Sequence, residues 1–72
     1  MSRVAAIGSW AELAGYALVG VEVVDASGTD AVRRAWAELP EDVGVVLLTP
    51  EARRSLPDPL LPRERLWVVT PG

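Results

Sequence analysis

Four short apolar runs recur along the chain, and the stretches between them either repeat apolar residues at helical spacing or are broken by proline. After Arg3, residues 4–7 are continuously apolar and end at Gly8, which suits a buried strand. Val21, Val23 and Val24 begin a second run, rich in β-branched residues. The third run, "VGVVLL" at 43–48, is the strongest, and 66–70 is the last. No connection is long enough to form a long loop, so the strands are joined by crossover helices, lie parallel and cross over right-handedly. This predicts a doubly wound α/β domain with a four-stranded parallel sheet of order 2-1-3-4, laid out like a small flavodoxin or receiver domain. Strands this uniformly apolar predict helices on both faces, and so three layers.

The helices are legible in period and caps. Trp10, Leu13, Ala14, Ala17 and Leu18 follow i, i+3, i+4, i+7, i+8 spacing, which predicts one core-facing stripe, with Gly20 placed to end the helix. Val32, Ala35, Trp36 and Leu39 mark a second helical face that stops at Pro40, and 27–30 ("SGTD") offers a choice of N-caps before it. Thr49-Pro50-Glu51 reads as an N-cap, a proline at the first helical position and an acid in the first turn. That third helix is predicted to be short, because "LPDPLLP" at 56–62 cannot remain helical and reads as a loop.

Composition removes several kinds of chemistry. With 72 residues the chain holds one domain, and it has neither cysteine nor histidine. Thiolate metal sites, disulfides, the commonest metal ligand and the usual general base at neutral pH are all absent. Net charge is −3, which disfavours nucleic acid and anionic lipid as partners. The best apolar stretch, 13–21, is bounded by Glu12 and Glu22 and falls short of the ~20 residues that span a bilayer. With no segment that reads as a signal peptide, the expectation is an intracellular protein that does not insert in a membrane.

Gly8-Ser9, between the first strand and the first helix, stands where many doubly wound proteins hold a phosphate. The dinucleotide fingerprint needs G-x-G-x-x-G, and here the turn reads "GSWAEL", with Trp10 in the space of a pyrophosphate. Gly15 and Gly20 have phosphate-loop spacing, but Val21-Glu22 replace lysine and hydroxyl. Ser9 and Glu12 instead form S-x-x-E, which predicts a capping box and a simple bend. A receiver acceptor site would need acids after the first and third strands, where Gly8-Ser9 and Thr49-Pro50 stand. Ser9, Ser27 and Ser55 have no histidine partner for a hydrolase triad. Asp25, Asp30, Glu41 and Asp42 could supply oxygens to a hard cation, but acids at strand ends and turns are usually just solvated. No catalytic residue, cofactor or metal is expected.

The stretches "RVAAIGS" and "ELAGYALVGVEVVDAS" resemble the start of the F subunit of the V-type and A-type rotary ATPases. Ile7-Gly8-Ser9 stand for that family's strand-I-G-D motif, and residues 15–21 for its G-F-x-L-A-G-V segment. "EDVGVVLLTPE" at 41–51 and "LWVVTPG" at 66–72 are similar to its third and closing strands. The family usually continues into a further C-terminal helix, so the resemblance implies a single domain of this kind over 1–72 without that helix.

The resemblance implies a non-catalytic rotor subunit of the central stalk. Its partner would be the coiled-coil D subunit of the stalk, and through it the A/B head and the membrane ring, at the cytoplasmic face of the membrane. It would help couple ATP hydrolysis or synthesis to ion transport. The residues leave candidate contact surface in Gly15, Tyr16, Val19, Gly20 and Val21, off the predicted core stripe, with Arg33 and Arg34 as rim charges. Two other readings stay open: a free-standing regulatory or ligand-binding α/β module, and a fragment of a nucleotide-binding enzyme.

Overall fold

The computed structural model describes residues 3–56 and 65–71. The predicted loop at 57–62 lies outside the described residues. Seven elements alternate along the chain: β1 (Arg3–Gly8), α1 (Trp10–Ala17), β2 (Glu22–Asp25), α2 (Thr29–Ala37), β3 (Val43–Leu48), α3 (Pro50–Arg54) and β4 (Leu66–Val69). The four strands form one parallel sheet of order β2-β1-β3-β4, as the sequence predicts.

Side chains alternate across a strand, so the register sorts them into two faces. Ala5 and Ile7 of β1 stand beside Val46 and Leu48 of β3, and Val46 stands beside Trp67 of β4. That face meets Val32 and Trp36 of α2, Ala52 of α3 and Leu56 just beyond α3 in one buried cluster. The opposite face carries Val4, Ala6, Val45, Leu47, Leu66 and Val68, and α1 lies over its β1–β2 half, with Leu13 fully buried. The three expected layers are present but unequal.

The helix ends follow their predicted chemistry in part. Thr49 caps α3, its Oγ1 accepting from the Ala52 N–H at 3.1 Å, with Pro50 in the first turn. Gly20, at φ +92°, closes the turn after α1: the Gly20 N–H donates to Ala17 O and the Val21 N–H to Tyr16 O. This is the paired arrangement that a left-handed residue permits at a helix end.

Two expectations are corrected. The Ser9–Glu12 capping box does not form, because the Ser9 side chain makes no cap bond. The sheet register sets Asp25 beside Gly8, and Asp25 Oδ1 accepts the Trp10 N–H at 3.0 Å instead. At α2 the N-cap falls within the offered 27–30 stretch, at Gly28, without a side-chain cap bond. On α1 the predicted stripe is too wide: Trp10 is 48 % exposed and Leu18 is 88 % exposed. Trp10 is the first helical residue, at the margin of the sheet, and Leu18 sits where the helix tightens into i→i−3 bonds and leaves the sheet. The stripe on the helix is Leu13, flanked by partly buried Ala14, Tyr16 and Ala17.

Candidate functional site

In an open parallel sheet a ligand commonly sits beyond the strand ends where successive connections diverge. Here that point lies between β1 and β3 and is formed by Gly8, Ser9, Thr49 and Pro50. Thr49 is buried against Gly8 so closely that a Cβ on residue 8 would lie 2.3 Å from Thr49 Cγ2. The glycine therefore admits a threonine side chain of the same protein. Backbone bonds bind the strand ends together: the Ala26 N–H donates to Gly8 O at 2.8 Å, the Thr49 N–H to Ile7 O at 3.3 Å and the Thr70 N–H to Leu48 O at 2.8 Å. The first free N–H of α1 already meets the Asp25 carboxylate, which takes the place an anionic ligand would want.

Above this edge lies an open depression of about 440 Å³, lined among the described residues by Glu12, Pro50, Glu51, Arg54 and Pro71. Its lining brings two carboxylates and one guanidinium together on prolines. Among the described residues no group of three or more acids is close enough to hold a metal ion. Asp42 and Glu22 are instead drawn to Arg3 at the opposite end of the sheet. Arg3 NH1 donates to Asp42 at 2.9 and 3.1 Å, and its Nε and NH2 donate to Glu22. These bonds, first to Glu22 and then to Asp42, hold the guanidinium more firmly protonated than a free arginine.

The seven residues expected to contact a partner divide into two places. Gly15, Tyr16, Val19, Gly20 and Val21 belong to α1 and the turn after it. Val19 is 76 % exposed, Gly15 and Gly20 are exposed, and Tyr16 and Val21 are partly buried. A Cβ added at Gly15 or Gly20 would meet nothing within 4 Å, so another backbone has room to approach. Arg33 and Arg34 lie on α2, across the sheet from α1. Arg33 Nε donates to Ser55 O at 3.0 Å and ties α2 to the end of α3, while the residue itself stays exposed. Arg34 lines a shallow groove between α2 and β2 with Asp25 and Glu38.

Residue-by-residue reading missed the other apolar surface on the α1 side. Leu66 is 62 % exposed and Val68 46 % exposed, although both sit in a strand of core composition. Among the described residues α1 is the helix on this face, and it lies over β1 and β2.

The chain is similar in structure to the F subunit of the V-type ATP synthase from Archaeoglobus fulgidus, with a TM-score of 0.70 and 24% identity, over 82% of this chain and 78% of that one. The two share a fold. No protein-family model matches the chain, and no curated protein matches it by sequence. No helix among the described residues is long and apolar enough to cross a membrane.

Proposed function

We propose that this chain is the F subunit of a V/A-type rotary ATPase or ATP synthase. In this reading it is a central-stalk rotor component that binds the coiled-coil D subunit of the stalk and so helps couple ATP hydrolysis or synthesis to proton or other ion transport. The observation that carries the reading is the likeness to an F subunit across 82% of the chain, in the same element order as the sequence motifs. The geometry at the strand ends supports it. The protein's own Thr49 and Asp25 occupy the positions that a phosphate would use, so the domain's work falls to its surface. The role is mechanical, with no chemistry at this domain. The complex would sit at the cytoplasmic face of the membrane, under the A/B head, held to the membrane ring through the coiled-coil stalk.

Gly15, Tyr16, Val19, Gly20 and Val21 are the residues proposed to meet the partner, because they combine exposed apolar area with two positions lacking a Cβ. Arg33 and Arg34 are the candidate rim charges on the α2 side.

The test is co-elution of the purified chain with the coiled-coil stalk protein on size-exclusion chromatography. A stable complex is expected. Failure to associate, together with a rise in melting temperature on adding ATP or NAD, would favour the ligand-binding or enzyme-fragment readings, with the 440 Å³ depression as the site.

A further inference from the structure

β2 is an open edge of the sheet. It pairs with β1 on one side, and among the described residues no strand lies beyond it. In a parallel ladder alternate residues of a strand turn their main-chain groups to the same neighbour. The Ala26 N–H donates to Gly8 O at 2.8 Å, so Glu22, Val24 and Ala26 bond inward to β1. Val23 and Asp25 therefore turn N–H and C=O outward, a row of main-chain groups that water or another strand must satisfy.

Beside this edge runs the groove between β2 and α2. Ala31, Arg34, Ala35 and Glu38 line it at i, i+3, i+4 and i+7 spacing, one flank of the helix. α2 returns against the strand direction, falling ~1.5 Å per residue while β2 rises ~3.3 Å. Counted down the groove from Ala26 and Ala31, Arg34 and Glu38 fall on either side of the level of Val24, each within about 4 Å.

We infer that the occupant of this edge is a second copy of the chain, its β2 paired antiparallel with this β2 about a two-fold axis through Val24. The two sheets join into one. Main-chain accounting selects this register: Val24 faces Val24 of the second copy, and Val23 and Asp25 each exchange both bonds with the other copy, which uses every outward group of the two residues. Cross-strand charges agree with it, because Glu22 faces Ala26 and Asp25 faces Val23, so no carboxylate stands directly opposite another. The flanking helices agree as well. The axis lays the two α2 flanks antiparallel, with Arg34 of each copy opposite Glu38 of the other. α2 packs over β1, and the two β1 strands stand three strand spacings apart, about 14 Å, a gap that an arginine and a glutamate together span. A four-residue edge and one helical flank fall short of the ~800 Å² per partner of a standard interface, and each copy carries a net −3, so the pairing is weak and reversible. This inference is independent of the stalk reading.

The experiment is sedimentation equilibrium of the full chain from about 10 µM to about 1 mM, with NMR amide shifts followed over the same range. A monomer–dimer equilibrium with Kd of roughly 0.1–1 mM is expected, with concentration-dependent shifts at 22–26 and 31–38. Val23→Pro removes an outward N–H and leaves the bonds to β1 in place, and should weaken the dimer at least about tenfold. Glu38→Arg should weaken it about fivefold, and the double change Arg34→Glu with Glu38→Arg should restore it to within about twofold. Should Val23→Pro fail to fold, the charge swap decides alone, since both positions are exposed. A chain that stays monomeric at about 1 mM overturns the proposal. So does a dimer whose shifts lie elsewhere, at 66–69 for example, or one that Val23→Pro leaves intact or the charge swap fails to restore.

Discussion

Leu48 on β3 and Leu66 on β4 are leucines in equally apolar strands, yet Leu48 is fully buried and Leu66 is 62 % exposed. They belong to opposite faces of one sheet. Leu48 shares its face with Val32 and Trp36 of α2, Ala52 of α3 and Leu56. Leu66 belongs to the face that α1 covers only over β1 and β2. The strands are of one kind on both sides. What differs is the helices laid on each face among the described residues, together with the place of β4 at the sheet edge.

The largest expected effect tests that separation. Leu48→Ala should cost about 2–5 kcal/mol by opening a cavity in the covered face. A domain of this length holds roughly 4–11 kcal/mol in total, so the variant will be near unfolding. Leu66→Ala should stay within about 0.5 kcal/mol. Urea unfolding of both variants measures the contrast, and similar losses would show that the β3–β4 strip is covered in the free protein.

A smaller effect separates two readings of the first strand end. Asp25→Ala should destabilise by about 1 kcal/mol through the lost acceptor for the Trp10 N–H, and Ser9→Ala should be nearly silent. The reverse order in thermal melts would restore the capping box. It would also reopen the strand end as a place where a ligand could displace the cap.

The smallest effect has two signs. Gly15 is exposed within α1, and a Cβ there meets nothing within 4 Å. Gly15→Ala should stabilise the free domain by up to about 1 kcal/mol, since glycine inside a helix is poorer than alanine by that amount. If a partner backbone approaches at this position, the same change should weaken the complex. Stabilisation with unchanged binding would remove Gly15 from the contact surface.

Much of the fold was legible because it is written locally. The "VGVVLL" run, the Thr49-Pro50-Glu51 cap and the Gly20 stop each depend on neighbours within a few residues, and all three appear as expected. Strand order followed from short connections and their handedness. The misses depend on distant groups. Asp25 caps α1 from fifteen residues away, through a register no spacing rule encodes, and local S-x-x-E logic therefore named the wrong acceptor. Leu18 fits the helical period but follows the last full turn, so its exposure depends on where α1 parts from the sheet. Arg33 is exposed, as read, but its bond to Ser55 O on another element was beyond any spacing rule. Of the candidate contact surface, Tyr16 and Val19 were legible as apolar residues off the core stripe. Leu66 and Val68 were not, because an uncovered apolar strand has the same sequence as a covered one.

The proposed contact with the coiled-coil stalk protein, and whether the exposed Leu66 and Val68 of β4 take part in it, is tested most directly by calorimetric titration of the chain with that protein at several temperatures. Burial of an apolar strip predicts saturable one-to-one binding with a negative heat-capacity change, and both should be lost with Leu66→Lys. Binding with no heat-capacity change and a steep dependence on salt, unaltered by Leu66→Lys, would contradict the account and move the contact to a charged surface elsewhere on the domain.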